Sequence, residues 1–321
     1  MLSPTLETIV VEPANDIRIK VTNRCSWDCK WCHHEGSNLD RDLQLNASLV
    51  GFLETMKDQL HIGAIHLTGG EPTLHPQLPE QIRTLSQMGF EVSITSNGTR
   101  PTLWPSLQEA GLKRANFSLH TMDPSIFAQF HATPRSETWA ATALRNTMDS
   151  IVYAKALGIE AKVNTTIVDE SSEWRPIYEY CKAQNVPFRI QNELSSPAAV
   201  DAIKTMIGAV NGQLLKVIRK GPTSRISYEY ADADGYRFRV KLIAPASLSH
   251  LCGNCEMRRF CTEGFYTIRL EPNEQAGFNI RLCIHRNDPG SVCSPQEFLT
   301  SRVFDEIKRA YAEQYGHVII Q

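Results

Sequence analysis

The sequence has no surplus of charge: 33 Lys and Arg stand against 35 Asp and Glu over 321 residues, a formal net charge of −2. A chain this near neutrality offers no electrostatic footprint for DNA or an anionic membrane, although a local basic pocket is compatible with it. It also lacks any apolar run long enough to span a bilayer. The opening MLSPTLETIVVEPANDIRIK has no basic stretch followed by a long apolar one, so no signal peptide is expected and a cytoplasmic location is. No internal repeat or low-complexity segment is visible. With 42% hydrophobic and 21% charged residues, the chain can bury one large core, or a core and a small appended domain.

Nine cysteines are present, an odd number that suits a disulfide framework poorly, and a reducing compartment disfavours one further. Eight fall into two groups, Cys25, Cys29 and Cys32 near the start and Cys252, Cys255, Cys261, Cys283 and Cys293 near the end. Such grouping is the pattern of metal or cluster ligation. Cys181, alone in a helix-like EYCKAQ, reads as a small buried hydrophobe.

Short β-rich runs alternate with helical stretches. IRIKV, AIHL (64–67), EVSIT (91–95), ANFSL (115–119), AKVNTTIV (161–168) and PFRIQ (187–191) read as strands. Residues 47–60, 79–89, 138–158 and 174–185 carry helical spacing. This alternation implies parallel strands with right-handed crossovers, hence an α/β barrel or a doubly wound sheet. A helix-like stretch at 198–220 precedes two antiparallel-type runs, RISYEY (225–230) and YRFRVKLI (236–243), and a last helix is expected near 295–314. A domain boundary is placed near 224, giving domains 1–224 and 225–321. Polar signatures sit where the strands end: TNRC, TGGE, TSNG and SLH. In barrels, that end carries the chemistry.

Cys25, Cys29 and Cys32 form a C-x3-C-x2-C loop directly after a strand. Three thiolates there can hold three irons of a [4Fe–4S] cube and leave the fourth open for a chelating cosubstrate. Structural zinc is the competing reading, though zinc sites usually pair C-x2-C units and close with four ligands. Thr68-Gly69-Gly70-Glu71-Pro72 ends the second strand; its glycines would let backbone approach a ligand and its carboxylate could take an ammonium. Trp31 could stack on an adenine or simply belong to the core. Ser96-Asn97-Gly98 could be only a turn, and Asn164 a strand-end cap.

From DIRIKVTNRCSWDCKWCHHEG through LTGGEPTLHPQL, TSNGT, ANFSLHTMDPSIF and GIEAKVNTTIV to the CGNC…RLCIH region, the chain resembles the radical S-adenosylmethionine (SAM) superfamily, and within it the MoaA family of GTP 3′,8-cyclases. The resemblance implies a partial (β/α)6 barrel of the TIM type carrying a [4Fe–4S] cluster with SAM, and a smaller C-terminal α+β iron–sulfur domain. It implies that Ser96, Asn97, Ser118 and Asn164 line the SAM pocket, beside Trp31, Thr68, Gly69, Gly70 and Glu71. It further implies an auxiliary [4Fe–4S] cluster on Cys252, Cys255 and Cys283, and an electron donor such as flavodoxin or ferredoxin. Zinc competes for this second group, because four thiolates including a C-x2-C unit suit a tetrahedral ion.

Several positions depart from that family. Cys261 stands where a hydroxyl residue is usual and could close the auxiliary cluster. The two arginines expected after the second cysteine read Met257 and Arg259, with Arg258 between. His75 replaces another arginine, and the chain ends GHVIIQ instead of in a diglycine. Arg18 matches a family arginine that contacts substrate phosphate; like Arg259 and His75 it is a candidate substrate residue or a solvated charge. The leading expectation is therefore hydrogen abstraction from a polar small molecule (nucleotide, nucleoside or sugar), with little or no cyclisation of GTP. GTP 3′,8-cyclisation, maturation of a ribosomal peptide, and a non-catalytic cluster or zinc protein are the alternatives. Among His33, His34, His66 and His120, His120 is the candidate acid–base or substrate contact, because it stands where the family more often has aspartate; His33 and His34 are expected to shape the cluster loop.

Overall fold

A computed structural model describes residues 9–244 and 246–318. The opening residues 1–8 and the last three of GHVIIQ lie outside them. Six strands, β2 (Asp16–Thr22), β3 (Ala64–Gly69), β4 (Glu91–Ser96), β5 (Arg114–Ser118), β6 (Glu160–Ile167) and β7 (Phe188–Asn192), lie side by side in chain order, all parallel. The crossovers are α1 (Ala47–Leu60), α2 (Leu78–Gln87), α3 (Trp104–Glu109), the pair α4 (Pro124–Gln129) and α5 (Glu137–Ala156), and α6 (Arg175–Ala183). Local signals set these bounds: Asn46 caps α1 by accepting from Leu49 N, and His61 ends it in the left-handed region. Ser136 caps α5 in the same way.

The expected helix at 198–220 is a correction. It divides into α7 (Ala198–Ala209) and strand β8 (Gln213–Gly221), broken at Asn211-Gly212, where Asn211 has a φ of 51°. The sheet then continues through β9 (Arg225–Ala231) and β10 (Arg237–Ile243), with β10 parallel to β7 and antiparallel to β9. β1 (Ile9–Pro13), not anticipated, pairs with β8 at the far edge. On the other flank β11 (Arg269–Pro272) pairs with β2, followed by β12 (Phe278–Arg281) and β13 (Val292–Cys293). Among the described residues the result is one curled sheet of thirteen strands, a partial α/β barrel. Short α8 (Ser249–Cys252) carries the first cysteine of the second group. The expected last helix is two, α9 (Pro295–Leu299) and α10 (Arg302–Val318).

The core fills the space between sheet and helices, with Ile17, Leu67, Ile94, Phe117, Val163 and Ile190 from the strands all buried. Alternation along each strand sends the other residues to the concave face, and these are polar: Arg18, His66, Thr68, Ser93, Asn116 and Asn164. Among the described residues no helix is long and apolar enough to cross a membrane.

Candidate active site

The loop carrying Cys25, Cys29 and Cys32 leaves β2 at the mouth of the half-barrel. Cys29 N's neighbourhood is fixed by a bridge to His131, with Lys30 N donating to Phe130 O at 2.9 Å and Ala132 N to Asp28 O at 2.9 Å. Trp27 packs edge-on against Phe127 at 4.9 Å. The segment that begins with α4 thus braces the loop. Cys25 and Cys32 are exposed and Cys29 half-buried, and Trp27 N donates to Cys25 Sγ at 3.3 Å. Desolvation by the surrounding loop pushes the Cys25 and Cys29 thiols up to about 12 and raises Cys32, although the Cys25 and Cys32 side chains reach the surface.

The GGE turn has a different logic from the one its composition suggests. A Cβ on Gly69 would lie 2.2 Å from Thr22 O, and one on Gly70 2.3 Å from Arg24 O. The glycines let the end of β3 dock onto the root of the cysteine loop, where Gly70 N donates to Thr22 O and Glu71 N to Arg24 O, both at 2.8 Å. Glu71 is buried and gathers donors from two strand ends. Its Oε1 accepts from Thr73 N (3.0 Å), Thr73 Oγ1 (2.7 Å) and Ser96 Oγ (2.8 Å), and its Oε2 from Asn97 N (2.6 Å). Burial raises this carboxyl against those four bonds. Oε1 is saturated, whereas Oε2 keeps a lone pair for a further donor. Asn97 Nδ2 in turn donates to Ser26 Oγ at 2.9 Å, tying the SNG turn to the cysteine loop.

Ser118 and Asn164 are register partners on β5 and β6. Asn164 is 8% exposed, and its Oδ1, like that of Asn116, is buried without a hydrogen-bond partner. Orphaned acceptors on the concave wall, together with three cysteine sulfurs on one loop and a multiply anchored carboxylate, fit a cluster with a polar cosubstrate. Trp31 is half-buried, edge-on to His120 (5.4 Å) and Phe130 (4.8 Å). His120 accepts from Thr166 N at Nδ1 (3.1 Å), and burial lowers it to about 4, so it is a fixed neutral imidazole. His66 is likewise neutral, lowered by burial to about 3 between Ser93 and Thr95.

Two substrate candidates lie elsewhere. His75 is 2% exposed and accepts from Gln77 N at 3.2 Å beside Gln81, as a packed structural group. Arg259 sits with Met257 and Arg258 on the exposed turn Glu256–Phe260. Arg18, by contrast, is on the concave wall, and its register partner is Arg269. Sequence reasoning missed Arg269, Glu35 and Glu263. Glu35 takes Arg18 Nη2 on one oxygen and Arg269 Nε on the other at 2.9 Å, and Arg269 Nη2 lies 2.5 Å from Glu263 Oε1. Burial opposes the charge on Glu35, but Arg18 and Arg269 outweigh it and hold the carboxyl well below its usual range. His34 and Glu35 have φ of 49° and 52°, left-handed backbone held in place as Lys20 Nζ donates to His34 O (2.7 Å) and Ser37 O.

That network joins the two cysteine groups. Glu263 Oε2 accepts from Ile284 N at 2.8 Å, next to Cys283, and a Cβ on Gly36 would lie 2.8 Å from Ile284 Cα. In the second group Cys255 N donates to Cys252 O (3.1 Å) and Gly264 N to Cys261 Sγ (3.2 Å). Cys293, on β13, is a partly buried core contact. Among the described residues no three Cys, His, Asp or Glu side chains gather into a group that could hold a metal ion.

Deeper in the half-barrel, cations accumulate. A cavity of about 230 Å³ opens at the N-terminal ends of β6, β7 and β10, lined by Lys162, Arg189, Arg237 and Arg239 with Glu160 and Glu229. Lys162 pairs with Glu160 at 2.7 Å, and Arg239 with Glu229 at 2.8 Å. Among the described residues no carboxylate stands within ion-pair distance of Arg189 or Lys241, although Glu160, already paired with Lys162 and Arg114, acts on Arg189 electrostatically. Arg18 Nε, Arg225 Nη2 and Arg269 Nη1 are buried N–H groups with no acceptor.

The family model "Radical SAM superfamily" matches residues 19–180. A "Probable GTP 3′,8-cyclase" of Pyrococcus abyssi is 38% identical over 264 residues, covering 79% of this chain and 83% of that one. Another of that name, from Sulfolobus acidocaldarius, is 36% identical over 168 residues, and the match spans half of each chain (51% and 50%). Among solved structures, Streptococcus suis SuiB bound to precursor peptide SuiA superposes with a TM-score of 0.54 at 12% identity, covering 92% of this chain and 67% of that one. This likeness bears on the fold alone.

Proposed function

Because the chain belongs to the radical SAM superfamily, we propose that it turns a SAM-derived radical on an anionic small molecule, with GTP the first candidate, as a GTP 3′,8-cyclase does. When bound, the cluster supplies an open iron for the amino and carboxylate groups of SAM and the electron that splits its S–C5′ bond to a 5′-deoxyadenosyl radical. Cys25, Cys29 and Cys32 would hold that cluster. Glu71 Oε2 and the Asn164 carboxamide would orient SAM, with Ser96, Asn97 and Ser118 around it. Cys252, Cys255, Cys261 and Cys283 would hold an auxiliary cluster in a C-terminal unit, residues 225–321, with the barrel in 1–224.

The observation that carries the substrate class is the uncompensated positive charge of the concave wall. Among the described residues Arg189 and Lys241 have no carboxylate within ion-pair distance, and three further guanidinium groups keep a buried N–H unpartnered. Arg189 and Lys241 are half-buried, so their charges are only partly solvated, and an oxyanion would satisfy both the charge and the free N–H groups. The low cyclisation of GTP was expected from Met257 and His75 in place of arginines, from the GHVIIQ ending and from Cys261; Met257 and His75 lie outside this wall, and Arg269 stands beside Arg18. The relatives named as GTP 3′,8-cyclases support the same direction.

The test is anaerobic turnover of the reconstituted, reduced protein with SAM and GTP. Formation of 5′-deoxyadenosine that depends on GTP, together with 3′,8-cyclo-GTP, is the expected result. GTP-independent background alone, with stimulation by an uncharged nucleoside or sugar, would overturn the anionic-substrate reading.

A further inference from the structure

Tyr266 lies at the centre of the cationic wall, and the mechanism above gives it no part. The segment around it is stitched down on both flanks of the half-barrel: Ser224 N donates to Phe265 O (2.7 Å), Thr267 Oγ1 to Asp16 O (3.2 Å) and Arg18 N to Ile268 O (3.1 Å). The buried phenol ring therefore meets cations from opposite sides of the sheet. Lys241 Nζ is 4.7 Å from its centroid, Arg269 Cζ 5.3 Å, Arg225 Cζ 5.6 Å and Arg18 Cζ 5.8 Å. Lys241 also hydrogen-bonds its side chain, and Arg189 of β7 faces it electrostatically.

Five cations share three carboxylates here. Asp16 takes Arg225 (2.7 and 2.8 Å), Glu35 is divided between Arg18 and Arg269, and Glu263 takes Arg269. His66, on β3, is neutral. Two positive charges are left over, and three groups around them exchange protons: the phenol, the Lys241 ammonium, lowered by desolvation, and the His33 imidazole, which faces Arg18, Arg269, Glu35 and Glu263 and is lowered by desolvation too. Burial pushes the phenol up, but Lys241, Arg18 and Arg225 outweigh burial and bring it down to about 8.

We propose that Tyr266 is the positioning residue of an anion subsite: as a phenol it donates its O–H to a substrate oxyanion, and as a phenolate it takes the oxyanion's place among the cations and keeps it out. This deepens, and rests on, the anionic-substrate reading. An anion in the subsite favours the protonated phenol, so by reciprocity ionising the phenol weakens the anion's binding.

The experiment is isothermal titration calorimetry of the cluster-loaded chain with GTP and with inorganic triphosphate from pH 7 to 9.5, in buffers of different ionisation enthalpy. Expected for the wild type is a loss of affinity approaching tenfold per pH unit above about 8, with uptake of about one proton on binding. Tyr266→Phe should bind about tenfold more weakly at pH 7 and lose both the slope and the proton uptake. A flat wild-type profile overturns the inference without help from any variant. A slope retained in a folded Tyr266→Phe protein assigns it to Lys241 and overturns the inference too. If neither probe binds at any pH, the anionic-substrate reading itself fails, an outcome distinct from binding without proton linkage.

Discussion

Replacing Glu35 by Gln tests the ion network that links the two cysteine groups. The side chain keeps its shape, its site is buried, and only one carboxylate oxygen becomes an NH2. In the wild type one oxygen accepts from Arg18 Nη2 and from Thr68 Oγ1 (3.3 Å), and the other from Arg269 Nε (2.9 Å). Glutamine has a single acceptor oxygen, so one guanidinium must face an NH2 group. A charge-assisted bond contributes about 1.5–3 kcal/mol, and weakening its twin to a neutral acceptor forfeits about 1 kcal/mol more. With side-chain exposures of 7% for Glu35 and 5% for Arg269, solvent screening does little to soften the loss. The expected destabilisation is about 3–4 kcal/mol, in the range for breaking one side of a buried pair.

Guanidinium unfolding of the anaerobically reconstituted protein, followed by circular dichroism, measures it, and the acid limb adds a second check. Glu35 has a depressed folded value, so its contribution is complete above the ordinary value of 4.5 and disappears as pH falls through the lower one. Wild type and Glu35→Gln should differ fully at pH 7 and converge in acid below about pH 4. The double variant with Arg269→Met should cost less than the two single changes together, because it removes a charge that Glu35→Gln leaves unpaired. A Glu35→Gln protein within about 0.5 kcal/mol of wild type at pH 7, or strict additivity in the double variant, would refute the reasoning.

Cys29→Ala should abolish reductive cleavage of SAM, read as 5′-deoxyadenosine by chromatography; normal cleavage would remove the cluster assignment. Iron and sulfide analysis should give about eight Fe per chain for two cubes, falling to about four in Cys283→Ser, and a tightly held zinc would mark the C-terminal group as a zinc site. Arg189→Met should weaken GTP binding by roughly 10–150-fold, with SAM binding unchanged, since one charge-assisted contact is lost. His120, held near 4, should add no inflection to the pH profile of SAM cleavage between about 6 and 8. An inflection there that vanishes in His120→Gln would contradict its fixed neutral state.

How much of the fold was legible follows from how each element is specified. The six parallel strands and the longer helices carry their periodicity within their own residues: α1 was read with its observed bounds, because its cap and apolar face are local. α3 and α4 escaped because six residues hold too little periodicity. The strand β8 was absorbed into the preceding helix, although Asn211-Gly212 was a visible stop signal. β1 and β11 could not be placed, since their partners β8 and β2 are distant in sequence and only the closed topology pairs them.

The site divides along the same line. Cys25, Cys29, Cys32 and Glu71 stand out in the sequence as candidates because spacing within one loop, and composition at one strand end, are local properties. Arg269 was not, because its meaning depends on register: β11 sets it against Arg18, and Glu35 reaches it only through the left-handed turn after Cys32. The same holds for charge. A net of −2 argued against a basic footprint, and at the level of the surface it still does. Yet strands that alternate inward and outward can sort a neutral composition into a polar wall and an apolar core. Arg18 on β2, Arg189 on β7, Arg225 on β9, Lys241 on β10 and Arg269 on β11 are scattered through the sequence, and each alone reads as a solvated charge. The curl of the sheet turns them onto one phenol, Tyr266, with too few carboxylates to match. Whole-chain charge therefore says little about a barrel's interior; the count that decides the ligand is the one made strand by strand on the concave face.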